Sequence, residues 1–131
     1  MSEIHQPTPY EQIGGEKAVR HLVDRFYQLM DEKSHVRHLR TMHPEDLTTS
    51  RDKLFKFLSG WLGGPDLFVQ EFGHPMLRAR HMPFSIDQSA RDQWLHCMFE
   101  ALNEMDISDS LKQQLEVSFF RTADFMRNKE G

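Results

Sequence analysis

Apolar residues in this chain recur at helical spacing in four long segments, and nowhere do they alternate as a half-buried strand requires. The first stripe is Val19, Leu22, Val23, Phe26, Tyr27 and Met30, offsets that put every member on one face of a helix. Leu47, Leu54, Phe57, Leu58, Trp61 and Leu62 form the second. Trp94, Cys97, Met98, Ala101, Leu102 and Met105 form the third, and Leu111, Leu115, Phe119, Thr122 and Met126 the fourth. Punctuation agrees with this reading. Thr8-Pro9-Tyr10-Glu11 reads as a capping box with proline at the first helical position. Ser85 with Gln88 reads as a second box opening the third long helix, and Ser108 as the cap of the fourth. Gly14-Gly15 separates a short first helix from the next, and Gly63-Gly64-Pro65 stops the second long one. The prediction is an all-α chain of one short and four long helices, with short pieces packed between Pro65 and Pro83. The 131 residues are expected to form one domain, with 1–8 as a flexible N-terminal segment.

Composition removes several function classes. There are 16 basic and 20 acidic residues, and the net charge of −4 argues against a nucleic-acid-binding surface. No apolar run approaches the ~20 residues of a membrane span. The first ten residues, MSEIHQPTPY, lack the charged-then-apolar layout of a signal peptide. The single cysteine, Cys97, leaves no internal disulfide and agrees with a reducing compartment, so a cytoplasmic location is expected. There is no Gly-rich phosphate loop, Gly-x-Ser-x-Gly elbow or His-Glu-x-x-His. Cys97 has no basic cluster beside it to make a thiolate. The unusual features are eight histidines and ten phenylalanines, an apolar interior supplied with imidazole.

The compact middle region is the most informative. Gly73-His74-Pro75 breaks the chain, Met76 to His81 allows at most two helical turns, and Met82-Pro83 ends them. His81 therefore sits on a short turn between breakers. Its nitrogen could serve as an axial haem-iron ligand, or its charge could cap a helix C-terminus. Tyr27 and Trp94 lie on apolar stripes. Each reads either as a core aromatic with a satisfied polar tip or as a donor aimed at a ligand. His43, before Pro44, reads on its own as an exposed loop histidine, and Cys97 as a buried small hydrophobe. His35 and His38 stand three apart, a spacing open to zinc, but no cysteine or carboxylate clearly joins them.

Five stretches combine into something more specific. They are Tyr10-Glu11-Gln12-Ile13-Gly14-Gly15, Arg25-Phe26-Tyr27, the run from Phe57 through Trp61-Leu62-Gly63-Gly64 to Pro65, the block from Gly73-His74-Pro75 to His81-Met82-Pro83-Phe84, and Ala90-Arg91-Asp92-Gln93-Trp94-Leu95. Together they resemble the truncated haemoglobins, and within them the second group. The likeness runs from about Tyr10 to Leu102 and is looser beyond. The Gly-His-Pro to His-x-Pro-Phe block with its downstream Asp-x-Trp is the specific part. The Gly-Gly pairs alone would be weak.

The resemblance implies a two-over-two helical sandwich around haem b, iron protoporphyrin IX. By it, His81 is the proximal iron ligand, and Tyr27 and Trp94 are distal donors to the bound ligand. Leu54, Phe57 and Leu58 line the distal side. Leu77 and Phe84 belong to the haem pocket, and Ser50 is a small residue at a ligand-gating position. Lys53 and Arg80 are cations for the haem propionates. One departure is His43, where relatives often carry tyrosine or phenylalanine, beside a stretch from Pro44 to Leu54 about one residue shorter than expected. An imidazole there can donate or accept and titrates near neutrality, or it can approach the iron to give a six-coordinate haem.

Burying a flat apolar plate suits a chain rich in Phe, Leu and Met. Each distal hydrogen bond adds ~1 kcal/mol net. Two would slow oxygen release by roughly one to two orders of magnitude. The function expected first is reversible binding of oxygen and other diatomic ligands (CO, NO) by a monomer or weak dimer. The alternative is peroxide- or nitric-oxide-consuming turnover on the same haem, with electrons from a separate reductase. A cofactor-free all-α interaction module is the reading from another class.

Overall fold

The computed structural model describes residues 7–129. Of the segment 1–8 expected to be flexible, residues 1–6 lie outside the described residues. Eight α-helices and one 3-10 turn follow, with no strand among the described residues. They are α1 (Pro9–Ile13), α2 (Glu16–Glu32), the 3-10 turn Ser34–Val36, α3 (Arg37–Thr41), α4 (Thr48–Trp61), α5 (Leu67–Phe72), α6 (Leu77–His81), α7 (Gln88–Asn103) and α8 (Asp109–Phe125).

The expected caps are largely present. Thr8 accepts from the Glu11 N–H at 3.2 Å while the Glu11 carboxylate accepts from the Thr8 N–H at 3.1 Å, a reciprocal box that satisfies two orphan donors. Ser108 accepts from Leu111 N–H at 3.1 Å. The third cap is a correction. Asp87, not Ser85, starts α7, its carboxylate accepting from the Ala90 N–H at 2.9 Å. A carboxylate at this end also suits the helix dipole. Between α2 and α4 the chain winds into the 3-10 turn and α3, which hold His35 and His38 and bury Val36 and Leu39.

The layers follow from the stripes. Helix α2 packs on α4 and on α7, and α7 packs on α8, so one helix pair crosses another. Val19, Leu22, Val23, Phe26, Leu29 and Met30 face inward, fully or almost fully buried. They meet Met98, Ala101 and Leu102 of α7, Leu58 of α4 and Phe119 of α8 in one core. Phe55, outside the predicted α4 stripe, is also buried, with the Arg20 guanidinium 3.8 Å above its ring. Helix α1 is seated on the end of α4. Tyr10 N–H donates to Leu62 O at 2.9 Å, and the Tyr10 ring lies so close to Gly64 that an added Cβ would come within 2.5 Å of it.

Helix α6 differs from all the long helices: it buries no side chain of its own. Beside it, Ile86, Ala90 and Met126 form a small second cluster with Met42 and Leu77 packed on it. The architecture is the two-over-two sandwich, with α6 lying outside the main core.

Candidate functional site

Helix α6 ends on His81, whose Nδ1 lies 2.7 Å from the carbonyl oxygen of Leu77, one turn back. A carbonyl can only accept, so Nδ1 carries the proton. The Nε2 lone pair of the neutral ring is then free for a Lewis acid, the orientation that second-shell bonds give to ligating histidines. The half-buried His43 is built in the same way. Its Nδ1 lies 3.0 Å from Leu39 O, and Nε2 is again the free nitrogen. Burial lowers the His43 pKa below the ordinary histidine value. The Leu39 bond opposes this, while the charges of Arg40 and His81 reinforce it. Half-burial of His43 corrects its exposed-loop reading.

Tyr27 stands edge-on to His43, ring centroids 6.0 Å apart. Its hydroxyl donates to Ser50 O across α4 at 3.4 Å, a long bond. Burial drives its pKa well above the ordinary tyrosine value, against the opposing charge of Arg51. The hydroxyl is therefore a neutral donor at any working pH. Phe26 joins Tyr27 to Trp94, with centroids 4.9 Å and 5.1 Å away respectively, and Trp94 continues to Phe119 at 5.8 Å. Trp94 is half-buried against the core.

The other side is apolar and bordered by cations. Leu54 and Phe57 of α4 are partly buried beside the fully buried Leu58. Phe57 meets Phe68 of α5 at 6.3 Å. The Arg80 guanidinium lies 5.2 Å over the Phe68 ring and donates to the carbonyls of Phe72, His74 and Pro75. Lys53 is exposed, its ammonium 5.4 Å over the Phe72 ring. Phe72, Met76, Met82 and Phe84 remain between 36% and 59% exposed. A strip of large apolar side chains around a helix that buries nothing is surface that a flat hydrophobic group would cover. With a free imidazole nitrogen on that helix and cations at the margin, these residues fit an iron porphyrin.

The structure thus brings Tyr27, His43 and Ser50 together beside α2 and α4, and sets Trp94 of α7 against Phe26. It sets Leu77, Arg80, His81 and Phe84 on and after α6. His35 and His38 do not converge. His35 faces His96 at 4.5 Å, and no group of three His, Cys, Asp or Glu among the described residues is arranged for a metal ion. Cys97 is fully buried, and that burial pushes its thiol up to about 11, an inert core residue. Sequence analysis misses the two carbonyls that orient the histidines. Their only signal is an apolar residue four positions before each, Leu39 before His43 and Leu77 before His81.

Comparison with known proteins bears on the same residues. A bacterial-like globin family model matches residues 8–128. The group 2 truncated hemoglobin YjbI of Bacillus subtilis is 41% identical over 121 residues, 92% of this chain and 89% of that one. Among solved structures, a cold-adapted truncated hemoglobin from the Antarctic marine bacterium Pseudoalteromonas haloplanktis superposes with a TM-score of 0.92. It is 48% identical and covers 94% of this chain and 99% of its own. A group II two-on-two hemoglobin from Agrobacterium tumefaciens gives 0.93 at 38% identity, covering 99% and 100%. Globin membership implies haem binding and small diatomic ligands. No described helix is long and apolar enough to cross a membrane. The match across almost the whole helical sandwich, at these identities, shows that the chain belongs to the bacterial-like globins, in the group II truncated haemoglobin branch.

Proposed function

We propose that the chain holds haem b with His81 as the axial ligand and binds oxygen and other diatomic molecules reversibly, in a cytoplasmic setting. The observation that carries this reading is the Leu77 carbonyl on His81 Nδ1, which leaves Nε2 free for metal ligation. When bound, haem would supply an iron that takes a small ligand. Beside it this chain offers two kinds of group. Tyr27 and Trp94 are donors that stay neutral, while neutral His43 presents an acceptor nitrogen. Leu54, Phe57, Leu58, Leu77 and Phe84 supply apolar cover that excludes water. Lys53 and Arg80 stand at the margin as cations for the propionates. Ser50 acts through its main chain, holding the Tyr27 hydroxyl beside α4.

The test is reconstitution with haem, followed by spectra of the ferric, ferrous and carbonyl forms. A Soret band with a five-coordinate ferrous spectrum is expected, together with loss of stable haem in His81→Ala. A chain that gains no Soret band, or a His81→Ala variant that keeps wild-type haem affinity, refutes the reading.

A second reading, peroxidase-like turnover, is favoured by one observation. His43 has a lowered pKa and a free Nε2, so it can take a proton from a hydroperoxide. Electrons would come from a separate reductase. Turnover with peroxide that exceeds free haem and falls in His43→Phe supports it, and turnover no faster than free haem removes it.

A further inference from the structure

Packing only weakly decides where the His81 imidazole sits, because no side chain of α6 is fully buried and only Leu77 packs on a cluster. The helix also opens on Met76 in the left-handed region, at φ 45°, a conformation that persists in a non-glycine residue only when its surroundings impose it. Polar ties hold α6 to the rest of the molecule: Arg80 binds the carbonyls before the helix, and the remaining ties converge on the end of α8. Asn128 is the centre of them. Its Nδ2 donates to the carbonyls of Phe84 at 2.8 Å and His81 at 3.3 Å. Its Oδ1 accepts from Ile86 N–H, and its own N–H donates to Ile86 O, both at 2.9 Å. Arg78 of α6 donates to the carbonyls of Phe125 at 3.0 Å and Arg127 at 2.7 Å. Met126 sits in the small cluster on which Leu77 packs, and Leu77 O is the acceptor for His81 Nδ1. Both supports of the imidazole, its own main chain and the Leu77 carbonyl, are therefore referenced to residues 125–128.

We propose that residues 125–128 are a positioning element for the His81 imidazole, with Asn128 fixing the end of α6 against α8 through the His81 and Phe84 carbonyls. The proposal rests on His81 being the iron's axial ligand. A side chain that donates twice and accepts once at this reach must be asparagine. Aspartate of the same shape accepts but cannot donate, and glutamine is one methylene longer. Freeing the turn from His81 to Ile86 would let the end of α6 shift, since no fully buried side chain of the helix resists it. The imidazole would then spread over several orientations toward the iron.

The experiment uses the haem-loaded full chain, its Asn128→Ala and Asn128→Asp variants, and the same three proteins without haem. Asn128→Asp keeps the acceptor for Ile86 N–H and so guards against simple misfolding. Three readouts are taken: the iron–histidine stretching band of the ferrous form by resonance Raman, the rate of haem transfer to an acceptor globin, and amide exchange at Phe84 and Ile86 in the haem-free chains. Expected are a shifted or broadened band, and haem loss and amide exchange faster by roughly ten- to thirty-fold, the size of two lost hydrogen bonds. A control separates positioning from general loosening. In His81→Gly supplied with free imidazole the ligand is cut from the backbone, and adding Asn128→Ala should leave the iron–imidazole band where it was. A band and a haem-loss rate unchanged in both Asn128 variants overturn the proposal, even if amide exchange accelerates. A wild-type ferrous protein with no iron–histidine band overturns the ligand assignment itself, and that failure is read in the unmodified chain.

Discussion

The carbonyls of Leu39 and Leu77 decide which nitrogen of each site histidine is free, and with that what each can do. Neutral His43 holds its only proton on Leu39 O, so toward the interior it accepts. In the proposed function, donation to a bound ligand falls to Tyr27 and Trp94. Tyr27 has one proton and spends it on Ser50 O over a long 3.4 Å, a bond weak enough to exchange for a better acceptor. Tyr27→Phe and Trp94→Phe should each speed oxygen dissociation several-fold, about one hydrogen bond apiece. Stopped-flow rates unchanged in both would show that donation does not control release. His43 also sets a pH dependence. Its folded pKa lies below the ordinary 6.5, so between these values the unfolded chain binds the proton that the folded chain refuses. Its contribution to stability is full above about pH 6.5 and is lost as pH falls toward the folded value. His43→Phe should flatten the denaturation midpoint over that window. The loss on further acidification should remain, since Asp46, Glu104 and Asp124 are also shifted down by their partners. A stripe or a breaker singled out Tyr27, Trp94 and His81 in the sequence but left each open between a core or capping role and a ligand-facing one, and only the family resemblance implied their roles. The acceptor character of His43 was not legible, because it depends on a helical turn placing Leu39 O beneath the ring.

At the level of the helices, caps and breakers decide where each element begins and stops. Their legibility depends on how local the signal is. The Thr8–Glu11 box and the Ser108 cap involve residues three apart and were readable. The Asp87 cap was hidden because Ser85 offered the same pattern two residues earlier, and only the extended backbone at Asp87 selects it. The 3-10 turn and α3 are too short for a 3.6-residue period to fix their bounds. The seat of α1 is the close approach of Tyr10 to Gly64. Gly64→Ala should therefore cost about 1–3 kcal/mol, as overpacking does, and lower the melting temperature by several degrees. Equal thermal unfolding of the variant would show that α1 yields freely, and that the glycine is not required by the contact. Tyr10→Ala combined with Gly64→Ala should cost no more than Tyr10→Ala alone, because the clash and the ring disappear together.

Across the whole molecule the core and the site are held differently, and this divides its stability. Helices α2, α4, α7 and α8 share one apolar core built around Phe26, Leu58, Met98 and Phe119. The end of α5 and the residues flanking α6 carry the exposed apolar strip, and α6 is tied by hydrogen bonds to residues 125–128. Periodicity made the first half legible, since burying a stripe on a partner stripe is what an amphipathic helix must do. It could not reveal the second. Asn128 meets residues 42 and 47 positions away, and nothing in a spacing rule brings them together. The same division predicts how haem changes the protein. A group that binds only the folded state stabilises it by mass action, and locally it should protect the surface that it covers. Amide exchange of the haem-free chain should be slow along α2 and α7 and fast from α5 through Phe84. Loading haem should slow the second region by at least an order of magnitude while α2 and α7 change little. Uniform slowing along all the helices would mean that the haem-free chain lacks the α2–α7 core. Fast exchange around α6 that persists in the loaded protein would mean that the apolar strip is not the surface that haem covers.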